Sequence, residues 1–142
     1  MSYEINNGEI AEAMATLALV KNGFEVSLPV FKQPSYDLIS KWGRVLHSVQ
    51  VKSGSLNKNG KTVQWGTTKH SRGLYEEGDC SYFSLVLVPR NEIWWIPFEF
   101  VRGKRSICTN IERDVLHHYR SAVSNLKKGG DESGDRFSGI AE

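Results

Sequence analysis

The stretch VLHSVQVK, residues 45–52, constrains the fold more than any other part of the chain. Its apolar residues alternate, as they must on a strand whose successive side chains point to opposite faces. Val45, His47, Val49 and Val51 share one face, and the three valines make it the core face. Leu46, Ser48, Gln50 and Lys52 share the other. A second strand is expected over residues 36–40, joined through the turn KWGR, so residues 36–52 read as a β-hairpin. With the turn centred on Trp42 and Gly43, Asp37 falls opposite Ser48 and diagonal to Gln50. Diagonal neighbours on one face lie about 7–8 Å apart, close enough to share an ion. A carboxylate, an amide and an amine are thereby gathered on one patch.

The rest of the chain surrounds this hairpin with alternating elements. Residues 10–22 are expected to be a helix, with Ile10, Ala13, Met14, Leu17 and Val20 as its core stripe and Gly23 as its stop. Glu12 falls on a second face, with Gly8, Ala15, Thr16 and Leu19, that could line a cleft. Residues 24–31, 62–65, 83–88 and 93–98 are expected to be strands, Trp94 and Trp95 serving as core. A second helix is expected over residues 111–126. This order predicts an α/β or α+β layer fold, with helices flanking one mixed central sheet. Residues 1–127 would form the domain. The polar, Gly-rich residues 128–142 would be a disordered tail. A chain of 142 residues suffices for one such core.

Charge distribution says more than net charge, which is only +2. No Asp or Glu occurs from Leu38 through Tyr75. That block holds Lys58, Lys61, Lys69, His70 and Arg72 downstream of the hairpin, a pattern expected of a polyanion-binding face. No apolar run reaches the roughly 18 residues of a membrane span. The N-terminus lacks the basic-then-apolar order of a secretory leader, so an intracellular protein is expected. Cys80 and Cys108 have no metal-ligand spacing and are expected to be reduced core thiols.

Asp37 and Gln50 offer hard oxygen donors, which suit Mg²⁺, an ion that typically takes one or two carboxylates and keeps several waters. The first helix supplies a second carboxylate, Glu12 or, closer to the cap, Glu9. Lys52 beside such an ion could orient a water or neutralise a phosphoryl oxygen.

The series GEIAE, then YDL, then VQVK at a strand end resembles the PD-(D/E)XK nuclease superfamily. Within it, the sequence is most similar to small intron-associated homing endonucleases that read QXK, and more distantly to archaeal Holliday junction resolvases. Pro34 to Asp37 stand at the PD element, and Gln50 to Lys52 at the (D/E)XK element. The resemblance implies a restriction-endonuclease-like core. It implies Glu12, Asp37 and Gln50 as ligands of Mg²⁺ (with Mn²⁺ as substitute) and Lys52 as the motif lysine. Gln50 departs from the commoner acid and adds no charge. The expected activity is hydrolysis of specific double-stranded DNA by a homo-oligomer. A junction resolvase, or a non-catalytic DNA-binding module on the same scaffold, is the alternative.

Overall fold

The computed structural model describes residues 7–33, 35–69 and 73–129. Helix α1 (Asn7–Lys21) leads into β1 (Glu25–Ser27), β2 (Leu38–Trp42) and β3 (Val45–Ser53). β4 (Ser55–Leu56), β5 (Thr62–Gly66), β6 (Tyr82–Leu87) and β7 (Glu92–Pro97) follow, then a one-turn helix α2 (Phe98–Val101) and β8 (Ser106–Asn110). Five strands form a mixed sheet in the order β1-β2-β3-β6-β7, and β4-β5-β8 form a smaller one. Only β3 and β6 run parallel in the larger sheet, so the chain crosses over between two antiparallel hairpins. The expected mixed α+β class is therefore the observed one.

Both faces of the central sheet are covered. On one, Ala11, Ala15 and Leu19 of α1 pack on Leu38, Val49, Val51, Val86 and Trp95. On the other, Phe83, Leu85, Trp94 and Ile96 meet Val63 and Trp65 of the small sheet, with Tyr75 beside them. Gly54 lets the chain turn out of β3 against Trp65. A Cβ there would stand 2.5 Å from the indole nitrogen, which donates to Val86 C=O at 3.0 Å.

Several expectations are corrected. Helix α1 seats on Ala11, Ala15 and Leu19 at i, i+4 and i+8, two of them small, while Leu17 and Val20 of the expected core stripe are exposed. Apolar residues surround this helix, so periodicity alone could not choose the face; close approach to a sheet favours alanine. The strand expected over 24–31 ends at Ser27. β8, β4 and α2 were not anticipated. No helix spans 111–126. Asn110 Oδ1 accepts from the N–H groups of Glu112 and Arg113, and Asp114 Oδ1 from that of Leu116, so side chains compete for the backbone donors. Ser121 then adopts a left-handed φ of 58°, and only 3₁₀ turns form at His117–Tyr119 and Val123–Lys127. Cys80 is buried as expected, but Cys108 is exposed. Lys128, the first residue of the expected tail, accepts a 2.8 Å bond from buried His47 Nε2 on its carbonyl. Residues 130–142 lie outside the described residues, as do Pro34, His70 and Arg72.

Candidate active site

The hairpin register differs from the expected one by one step on each strand. Trp42 pairs with Val45 and Leu38 with Val49, so Gly43 and Arg44 form the turn, with Gly43 at a left-handed φ of 60°. Asp37 is consequently brought opposite Gln50 rather than Ser48. Its N–H donates to Val49 C=O at 2.8 Å. β2 proper begins only at Leu38, which leaves the Val51 N–H without a strand partner; Asp37 Oδ2 accepts it at 2.8 Å. The carboxylate thus substitutes for a missing piece of ladder, and its orientation is fixed by the sheet edge.

Gln50 is 8% exposed, and its Oε1 is buried with no hydrogen-bond partner. Burying an amide oxygen unpaired costs free energy, so such an atom asks for a donor or a cation. Lys52 Nζ donates to Thr68 C=O at 3.0 Å and lies 5.2 Å from the centre of the Tyr75 ring. That ring is itself held edge-on by Phe83 at 4.9 Å. Lys32, Gln33, Asp37, Gln50, Lys52, Thr68 and Tyr75 line a cleft of about 540 Å³.

The electrostatics point the same way. Burial raises the Asp37 carboxyl above its usual range, against the opposing pull of the Val51 N–H and of Lys52 and Lys32. Burial also raises Glu12, and the Asp37 charge raises it further while Lys32 lowers it. The Asp37 charge thus discourages ionisation of Glu12, as a like charge does, and a cation nearby would relieve it. Burial lowers Lys52, although Asp37 resists the shift. Cys80 is pushed up to about 12 by burial and then by the charge of Asp79, so it is a neutral thiol and no nucleophile.

Among the described residues no three His, Cys, Asp or Glu side chains cluster as a metal site. The oxygen donors that line the cleft are instead the Asp37 carboxylate and the Gln50 amide oxygen; Glu12 does not line it and is linked to it only through the charge of Asp37. Their chemistry fits an oxygen-liganded divalent ion, and the unpartnered Gln50 Oε1 is the observation that favours one. Glu9 is exposed near the start of α1, whereas Glu12 is half-buried and feels Asp37.

The expected DNA-facing residues fare unevenly. Lys58 and Lys61 are exposed, Lys61 lying 3.7 Å from Glu112. Lys69 is occupied by Asp79 at 2.7 Å, with only 22% of its side chain exposed. His70 and Arg72 lie outside the described residues. Sequence reasoning missed Lys32, Gln33, Thr68 and Tyr75. None has a spacing signal, because each reaches the cleft from a loop, and Thr68 contributes a backbone carbonyl.

Comparison with known proteins follows the same lines. Residues 4–123 match the family described as PD-(D/E)XK endonuclease. Among solved structures, a bacterial homing endonuclease, I-Ssp6803I, superposes with a TM-score of 0.76. It is 18% identical, and the match covers 99% of each chain. At that identity the likeness establishes the fold, which is restriction-endonuclease-like as the sequence resemblance implied. Among curated protein sequences, nothing matches.

Proposed function

The chain belongs to the PD-(D/E)XK endonuclease family, and from that premise we propose that it cuts specific duplex DNA in the manner of a homing endonuclease, using Mg²⁺. The observation that carries this reading is the buried, unpartnered Gln50 Oε1 directly across the hairpin from the desolvated Asp37. The fold shared with a bacterial homing endonuclease supports it.

Glu12, Asp37 and Gln50 would hold the ion, and Mn²⁺ would substitute for it. When bound, the ion supplies positive charge against the phosphoryl oxygens and lowers the cost of forming the pentavalent transition state. Asp37 keeps its orientation through the Val51 N–H, so the site is preorganised before substrate arrives. Lys52 orients the attacking water and neutralises charge that builds on a phosphoryl oxygen. Thr68 C=O and the Tyr75 ring hold that ammonium in place. Tyr75 stays a neutral phenol, raised first by burial. Lys58 and Lys61 extend the contact along the DNA backbone.

One cleft cuts one strand, so a second copy of the chain is required to cut both at a symmetric site. No helix among the described residues is long and apolar enough to cross a membrane.

The test is cleavage of supercoiled plasmid with Mg²⁺, with EDTA, and by Lys52→Met, which keeps the aliphatic stem. We expect cutting only by the wild type with Mg²⁺. Equal cutting by Lys52→Met would refute the assignment of the site. A four-way junction cut in preference to linear duplex would transfer the activity to junction resolution.

A further inference from the structure

Residues 28–31 break the usual rule for apolar side chains. Leu28 is 62% exposed, Val30 91% and Phe31 79%, within four consecutive residues that belong to no helix or strand. Scattered single apolar residues on a surface need no explanation, but three together do. The tip is built rather than frayed. Pro29 restricts its backbone, and Gln33 Nε2 donates back to Phe31 C=O at 3.2 Å.

Its position is the informative part. The next two residues, Lys32 and Gln33, line the cleft with Asp37, Gln50 and Lys52. Consecutive Cα atoms are 3.8 Å apart, so Phe31 stands at the rim of the cleft. Lys32 is close enough to pull on the ionisation of both Asp37 and Glu12. No acidic residue occurs between Glu25 and Asp37, so the segment is apolar at its tip and positive at its base. A ligand that suits it presents an anion to the cleft and an apolar face immediately beside it. Duplex DNA does this, with its phosphates flanked by sugars and base edges. Three side chains also supply well under the roughly 800 Å² per partner that a stable protein interface uses, which argues against a second copy as the occupant.

We propose that residues 28–31 are a substrate-contacting tip, with Phe31 packing against sugar and base faces next to the phosphate held in the cleft. The proposal rests on the nuclease reading above and adds a recognition element to it. Apolar side chains set against base steps supply affinity with little dependence on ionic strength, unlike lysines on phosphates.

Phe31→Ala, Phe31→Trp and Lys32→Ala are tested with the full chain. Binding to short duplexes of randomised sequence is followed by anisotropy in Ca²⁺ over a range of salt. The substituted side chains are exposed, so folding is preserved. Phe31→Ala is expected to bind about tenfold more weakly with an unchanged salt slope. Phe31→Trp should bind as the wild type does, and Lys32→Ala should flatten the slope. Wild-type affinity in Phe31→Ala overturns the proposal. So does loss of self-association in Phe31→Ala by sedimentation without DNA, which would give the tip to a second copy. Lys52→Met separates the two readings. If it is inactive while Phe31→Ala binds normally, only the tip falls. If it still cuts, the catalytic assignment falls while the binding data judge the tip independently.

Discussion

The central sheet contains two antiparallel hairpins joined along the parallel β3–β6 seam, and they solve the same packing problem in opposite ways. In β6 and β7 the buried side chains Phe83, Leu85, Val86, Leu87, Trp94, Trp95 and Ile96 are apolar, and Ser84 is the one buried polar residue. In β3 the residues aligned with Phe83 and Leu85 of β6 are Gln50 and Lys52. Neighbouring positions on one buried face are thus apolar on one strand and polar on the next. Topology cannot account for this, since both strands lie in the interior of the sheet. An unpaired buried amide and a desolvated ammonium both cost stability. They stand only where the cleft opens, next to Asp37. The apolar hairpin stabilises the sheet, and the polar one gives up stability for a site.

Substitutions at paired positions can break this contrast. The largest effects should come from Leu85 and its neighbour Lys52. Leu85→Ala should lower unfolding free energy by about 2–5 kcal/mol, measured by urea denaturation, without altering the residues of the cleft. Lys52→Met should leave the unfolding curve close to wild type and reduce plasmid cleavage by roughly a thousandfold, the scale of losing one transition-state donor. Were Lys52→Met to unfold the protein instead, the polar hairpin would be structural.

A smaller effect is expected of Tyr75. If its ring positions Lys52, Tyr75→Leu should slow turnover about tenfold, a loss of about 1.4 kcal/mol that falls within the range of a desolvated cation–π contact. Tyr75→Phe should restore the rate, and duplex affinity should stay unchanged in both. Lys58→Ala with Lys61→Ala should weaken duplex binding modestly and flatten its salt dependence; an unchanged slope would remove both from the DNA face.

The smallest effect concerns Asp37→Asn in the metal-free protein. Burial raises the Asp37 carboxyl, so the folded chain holds that proton more tightly than the unfolded chain. The resulting stabilisation is fully present below the unfolded pKa and is lost as pH rises through the raised folded value. Near neutral pH the charge is therefore a burden, and Asn can still accept from Val51 N–H. Asp37→Asn should melt a few degrees higher than wild type near pH 7, the gap closing as pH falls. A lower melting temperature at pH 7 would show that the carboxylate stabilises the fold.

The β3 hairpin was legible because strand periodicity sorts its side chains onto two faces, and the motif residues follow that sorting. Its register was not, because the turn sequence KWGR accommodates more than one centre. The pairing moved by two residues, from Ser48 to Gln50, and an even shift keeps every side chain on its face, so Asp37 stayed on the face of Gln50. Helix α1 was legible as a helix but not in its orientation, its apolar residues being spread around the axis. The second helix failed because Asn110 and Asp114 redirect backbone N–H groups to side chains. Thr68 and Tyr75 were out of reach for another reason. They approach Lys52 from the loop between two different sheets, a tertiary placement with no local pattern.

Gln50 carries the central claim most directly, since its Oε1 is buried and unpaired at a position whose partner on β6 is Phe83. Gln50→Leu should be measured for unfolding free energy and plasmid cleavage in the same buffer. The account predicts a more stable protein, by about 1–3 kcal/mol for a buried unsatisfied group removed, that cuts DNA at least tenfold more slowly. A variant that is less stable and cuts at the wild-type rate would contradict it.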